Sequence, residues 1–224
     1  MFFRQVLAIF QKDLLAEWRG KEMLGSMLIF GLLVIVVFSF AFEPDEETTI
    51  AMMPGLLWIS FHFSATLGLN RSFAGEVRLG ALQGLLAAPM DRSALYVGKV
   101  AANFVFMLFA DVILLVCFAI LYNFSVLPFL GWLLLTVFAG TLGLAVVGTL
   151  FAAVALNTRM SEVLLPILQL PITVPLMIAS IQATDALIRP ESGGHFLSWM
   201  QMLIVFDILF FVLCFWLFEY VIEE

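Results

Sequence analysis

The residues with the most chemistry to account for are Asp111, Asp207, His62 and Gln169, each set inside a long apolar run. An ionised carboxylate near the middle of a membrane-crossing helix costs about 2.5–3.5 kcal/mol on insertion scales, and neither aspartate has a Lys or Arg in its run to offset that cost. Such acids serve either a substrate pathway or proton relay, or an interhelical bond to a polar neighbour such as Gln169, Asn103 or Thr173. A hydrated cavity or a partner subunit at the same depth lowers the cost in either case. Both readings stand on sequence alone. His62 carries the ring nitrogens of a metal or haem ligand, but no second ligand accompanies it, because His195 lies far along the chain in a polar loop. A single intramembrane histidine reads instead as a hydrogen-bonding packing residue.

Enzymatic chemistry is poorly served. The sequence has no G-x-x-x-x-G-K-[ST] phosphate loop, no H-E-x-x-H pair and no G-x-S-x-G elbow, so it offers no machinery for hydrolysing ATP or activating water. No catalytic set and no metal-ligating set is assigned. Cys117 and Cys214 sit in apolar runs without a C-x-x-C or C-x-x-C-H context, and read as small hydrophobes with no polar partner.

The elements that must hold these residues follow from composition. Of 224 residues, 63% are hydrophobic, 24 are Phe and only 12% are charged. A soluble domain carries about twice that charged fraction, so the solvent around this chain is mostly lipid. Runs of about 20 apolar residues, which as helices rise about 30 Å and match the hydrocarbon core, occur at Met23 to Phe42, Ile50 to Asn70, Val100 to Tyr122, Gly131 to Leu156, Val163 to Ala183 and Trp199 to Phe218. The expected architecture is an all-α polytopic membrane protein with six transmembrane helices. Span four aligns Gly140, Gly143 and Gly148 with Thr141, Ala145, Thr149 and Ala153. Small residues so spaced let helices approach closely, at a dimer seam or at a contact within the chain. Span five carries Pro166, Pro171 and Pro175; each removes a donor and crowds the preceding turn, so a straight helix is not expected there. It is either a bent pathway-lining helix or a static kink, with the freed carbonyls satisfied by protein or water.

The connecting segments set orientation, because Lys and Arg resist translocation and Asp and Glu count for little. Arg4, Lys12, Arg19 and Lys21 precede span one, Arg71, Arg78, Arg92 and Lys99 lie between spans two and three, and Arg159 lies between four and five, leaving Arg189 alone of the 10 basic residues on the other side. Both termini are therefore expected in the cytoplasm. The net charge of −7 argues against nucleic acid as a partner, and its surplus acids, Glu43, Asp45, Glu46, Glu47, Asp185 and Glu191, fall in the outer loops. Within residues 1–22, Phe3, Leu7, Phe10, Leu14 and Trp18 recur at helical spacing, the pattern of an N-terminal amphipathic helix lying in the membrane interface. Lys12, Asp13, Glu17 and Arg19 break up any signal-peptide core. The expected domains are thus an interfacial helix over 1–22, a six-span permease domain over 23–218 with a cytoplasmic loop at 71–99, and a cytoplasmic tail at 219–224.

That loop is the one segment combining charge, glycine and helical apolar spacing. Leu79, Leu82, Leu85 and Leu86 can share one face of a short helix ended by Pro89, after which Asp91 or Ser93 can cap a helix running through Lys99 into span three. The string Glu76-x-x-x-Gly80-x-Leu82-x-x-Leu85-x-x-x-Pro89, followed by Gly98 and Lys99, resembles the first cytoplasmic loop of ABC-2 transporter permeases. Pro54-Gly55 to Trp58, Leu69 to Phe73, Ala88-Pro89 to Ser93 and the Leu165-Pro166 to Pro175-Leu176 stretch are similar to the cytochrome c maturation protein B (CcmB) family within that class. Arg78 and Leu79 precede Gly80 here, where members often carry an acid.

The resemblance implies a bacterial inner-membrane permease subunit for haem export and c-type cytochrome biogenesis, without a nucleotide-binding site of its own. Glu76, Gly80, Leu82, Leu85, Leu86 and Pro89 would dock on a separate, CcmA-like ATPase subunit, two copies of the chain would pair, and a CcmC-like haem-handling protein would associate. Haem would be a substrate, moved directly or released on a loaded chaperone, rather than a bound cofactor. A different class, a proton-coupled secondary transporter using Asp111 and Asp207, expects a repeat in the two halves. The charged loop after span two has no counterpart after span five. An assembly scaffold without transport is a third reading.

Overall fold

The computed structural model describes residues 2–41, 46–78, 91–155, 161–189 and 195–223. Seven helices make up nearly all of these: α1 (Phe2–Gly20), α2 (Glu22–Ala41), α3 (Glu46–Arg78), α4 (Arg92–Leu121), α5 (Leu130–Ala155), α6 (Ser161–Ile188) and α7 (Phe196–Glu223), with a 3-10 turn at Leu127–Phe129 before α5. No strand occurs among the described residues. Among the described residues, six helical segments are long and apolar enough to cross a membrane: Glu22–Ala41, Ile50–Ser72, Arg92–Leu121, Leu127–Ala155, Leu164–Ile188 and Phe196–Val221. Hydropathy alone locates all six. The largest boundary difference is at α4, which begins eight residues before Val100 at the Asp91 cap.

Local chemistry sets the ends. Asp91 is extended, and its carboxylate accepts from the Ser93 N–H at 3.1 Å, which satisfies one of the unpaired donors of the first turn. At the other end of α4 the chain leaves through Asn123 in the left-handed region (φ 48°). The Phe124 N–H reaches back to the Ala119 carbonyl at 2.9 Å and the Asn123 N–H to Ile120 at 3.3 Å, the double closure of a Schellman end. The corner between α1 and α2 turns on Lys21 (φ 53°), and the Glu17 carboxylate accepts from the Leu24 N–H at 2.8 Å, so α1 caps α2. The three prolines do not interrupt α6, which is helical across all of them. The Thr173 hydroxyl turns back onto the carbonyls of Gln169 and Leu170 at 3.0 and 3.3 Å, a local bond of the kind that bends helices.

α5 is the hub. It packs against α3, α4, α6 and α7, while α2 lies on α3 and α4, and α1 lies along α4. From Ala139 onward nearly every described residue of α5 is buried, which its run of Gly, Ala and Thr makes possible by letting four helices close on its backbone. One core group gathers Leu69, Tyr96, Met107, Leu144 and Leu203; a second gathers Ile35, Trp58, Phe61, Leu114, Phe118 and Val137. The outward faces are also apolar, with Ile29, Leu33 and Val37 of α2, Val105, Phe109 and Val116 of α4, and Ile204, Val205, Ile208 and Val212 of α7 exposed. An apolar exterior on an apolar core suits lipid and not water. α3 has 33 residues and α4 has 30, about 45–50 Å of helix. Both outrun a hydrocarbon layer of about 30 Å, so they extend as stems on either side of the connection that joins them.

Candidate functional site

The polar groups inside the bundle fall into two systems. The first lies where α1 meets the stems. Lys99 of α4 is 1% exposed; its Nζ lies 3.1 Å from Asp13 Oδ2 of α1 and donates to the Ser72 carbonyl of α3 at 3.3 Å. The Ser72 hydroxyl donates to Asn103 Oδ1 at 2.6 Å, and Asn103 Nδ2 donates to Thr149 Oγ1 of α5 at 2.9 Å. Gly98 lets α1 close in: a Cβ there would stand 2.8 Å from Ile9 Cβ and 3.1 Å from the Val6 carbonyl. Hydropathy leaves Lys99 outside span three, yet it is the buried end of a chain of polar contacts. No sequence signal pairs it with Asp13, because such a contact depends on how a separate helix docks.

The second system surrounds the middle of α5. Asp111 is fully buried, and its Oδ2 accepts from the Thr141 hydroxyl at 2.7 Å. Asn103 to Thr149 and Asp111 to Thr141 are successive rungs of the same antiparallel α4–α5 contact. The partner of Asp111 is thus Thr141, not the Gln169, Asn103 or Thr173 that residue types suggest; Asn103 is committed to Ser72 and Thr149. Asp207 is 8% exposed, on the α7 stripe Leu203, Phe206 and Cys214, and its Oδ1 approaches within 2.6 Å of where a Gly143 Cβ would be. Thr141 and Gly143 are two residues apart on α5, so at about 100° per residue they point to nearly opposite sides. The two aspartates therefore share a level of the bundle but have α5 between them, and a proton relay using both must pass around that helix.

Gly140, Gly143 and Gly148 of span four all seat neighbours from the same chain. A Cβ at Gly140 would meet the Trp58 ring and come within 2.8 Å of Ser180 Oγ, one at Gly143 would meet Asp207 and Leu176, and one at Gly148 would meet Leu69 and lie 3.3 Å from Gln169 Nε2. The Trp58 indole N–H donates to Thr184 Oγ1 at 2.9 Å, and the Tyr96 hydroxyl donates to the Val146 carbonyl at 2.9 Å. Both bonds pin α5 or α6 to other helices, and sequence reasoning missed both. Gln169 is fully buried with neither amide atom hydrogen-bonded to a described residue, and His62 Nδ1 and Ser180 Oγ are in the same position. The His62 ring instead meets the Phe63 edge at 6.0 Å.

A family model described as CcmB protein matches residues 4–221, almost the whole chain. The chain belongs to the CcmB family. Three relatives named Heme exporter protein B are similar to it along most of their length. The one from Escherichia coli K12 is 31% identical over 83% of this chain and 82% of its own; the one from Rhodobacter capsulatus is 30% identical over 76% and 78%; the one from Pseudomonas aeruginosa is 28% identical over 83% of each. In this CcmB-family chain the described parts of segment 71–99 are the end of α3, through Arg78, and the start of α4, from the Asp91 cap. Glu76 lies in the last turns of α3, whereas Gly80, Leu82, Leu85, Leu86 and Pro89 lie outside the described residues. Ser72, Lys99 and Asn103 are the CcmB-chain residues that tie the two stems together.

Proposed function

We propose that the chain is the permease subunit of an inner-membrane ABC complex for haem export in c-type cytochrome biogenesis. The observation that carries this reading is the family match across residues 4–221, joined to relatives whose name is Heme exporter protein B. Nothing in the sequence resembles a phosphate-binding loop, so ATP hydrolysis belongs to a separate, CcmA-like subunit. That subunit docks on the Glu76 to Pro89 segment, with Leu82 and Leu85 as its apolar contacts, and its closure moves the α3 and α4 stems. The output is haem translocation or release of a haem-loaded chaperone, with a CcmC-like haem-handling protein alongside and a second copy of the chain completing the complex. Asp111, Asp207, His62 and Gln169 remain the intramembrane groups for that pathway.

The charge pattern supports cytoplasmic termini. α1 supports an interfacial role: Ile9 is buried against α4, while Phe3, Leu7, Leu15 and Trp18 are exposed, an apolar stripe suited to the headgroup boundary. The test is affinity purification from the native membrane. An ATPase subunit and a haem-binding protein should come with the chain, and a Leu82→Glu/Leu85→Glu variant should insert normally but lose the ATPase. Recovery of the chain alone, with its neighbours expressed, would overturn the reading.

A further inference from the structure

We propose that Asp13 and Lys99 are positioning residues that fasten α1 to both stems of the 79–90 connection and pass its movement into α5. The inference rests on the permease reading above and adds to it the route by which force leaves the loop. Four helices meet in one unbroken polar chain: Asp13 of α1 to Lys99 of α4 at 3.1 Å, Lys99 to the Ser72 carbonyl of α3 at 3.3 Å, the Ser72 hydroxyl to Asn103 of α4 at 2.6 Å, and Asn103 to Thr149 of α5 at 2.9 Å. Ser72 stands near the end of the helix entering the connection, and Lys99 and Asn103 stand near the start of the helix leaving it. A push on the connection therefore reaches a clamp, not two independent rods.

Adhesion alone does not call for this arrangement. Ile9 already seats α1 against the Gly98 notch, and a buried ion pair is often replaceable by apolar residues of similar size without loss of stability. What an ion pair adds is a single docking register, since an unpaired buried charge is strongly penalised. Asp13 also lies 3.0 Å from Lys12 Nζ through its other oxygen, so its carboxylate sits between two ammonium groups. The chain ends on Thr149, on the α5 face that also carries Thr141 and its bond to Asp111. Movement of the stems is thus delivered to the central helix on the α4 side.

The test uses the full chain with its co-purified ATPase subunit in lipid nanodiscs, with Cys117 and Cys214 replaced and a nitroxide at Leu135 on the exposed start of α5. The unaltered pair should give a spectral change on adding ATP. An Asp13→Leu/Lys99→Met variant should recover the ATPase subunit in undiminished amount yet lose the ATP-dependent change by at least about fivefold, the lower end of ordinary allosteric coupling. Asp13→Glu, which keeps a carboxylate for Lys99, should retain that change. A full spectral response in the neutral variant, or a well-assembled Asp13→Glu variant with no response, overturns the proposal. If the neutral variant does not fold, Asp13→Asn decides alone, an undiminished response overturning the proposal. Failure of the unaltered chain to recover any ATPase subunit is a failure of the permease reading, and the proposal falls with it.

Discussion

Gly140 and Thr141 sit side by side on α5 and show how differently two adjacent residues can be constrained. A side chain at Gly140 would drive into the Trp58 ring and within 2.8 Å of Ser180 Oγ, and overpacking of a filled core costs about 1–3 kcal/mol. Gly140→Val should therefore lower the thermal stability of the detergent-purified chain by that amount. Gly131→Ala, where an added Cβ meets nothing within 4 Å, should leave it unchanged. Thr141 matters through its hydroxyl. Thr141→Val conserves shape but removes the donor to Asp111 Oδ2, and stranding a fully buried acceptor costs about 1–3 kcal/mol. Thr141→Ser should retain the wild-type unfolding midpoint, whereas Thr141→Val should not. The sequence shows that these residues are small and spaced for close helix approach. It does not show what they approach, because a small-residue stripe is equally compatible with a second subunit and with α3, α6 and α7 of the same chain. Asp111 is similar: its depth was legible from its place in an apolar run, but its partner was not, since several polar residues at comparable depth compete and only the α4–α5 register selects Thr141.

At the scale of the element, hydropathy located every spanning helix, because a segment that must satisfy its backbone in lipid has few alternatives to a helix. Capping chemistry was legible as well: Asp91 was a candidate from its position after Pro89, and it is the cap. The prolines of α6 mark lost donors without ending the helix, which is continuous across all three. α1 was legible as an apolar-striped helix, but not in how that stripe divides. Phe10 and Leu14 pack on the core, while Phe3, Leu7 and Trp18 stay exposed, because Ile9 and Asp13 define the docked face. Filling the Gly98 notch should undo that docking. Gly98→Leu places a branched side chain where a Cβ already stands 2.8 Å from Ile9 Cβ. Limited trypsin digestion of membranes should then cleave at Arg19 or Lys21 several-fold faster than in the unaltered protein, with α2 to α7 still intact. Equal cleavage rates would show that α1 is held by something other than this contact.

For the whole molecule, the placement of basic residues bears on which end faces which side of the membrane. Every described basic residue except Arg189 lies in α1, in the stems of α3 and α4, or at Lys21 between α1 and α2, all on one side of six crossings. Arg189 follows the last turn of α6, where its guanidinium bonds Asp185 at 2.8 Å, so even this cation is locally neutralised. Translocating the opposite face would drag the Arg4 to Lys21 group and the stem cations across the hydrocarbon, at about 2.5–3.5 kcal/mol for each Arg or Lys on insertion scales. No compensating basic cluster occupies the other side. Single cysteines placed at Arg4 and at His195, in a background lacking Cys117 and Cys214, should therefore differ in whole cells. A membrane-impermeant maleimide should label the His195→Cys protein and leave Arg4→Cys unlabelled until the cells are opened. The reverse pattern would put the α3–α4 connection on the outer face, out of reach of any cytoplasmic ATPase subunit, and would remove both the permease reading and the Asp13–Lys99 clamp that depends on it.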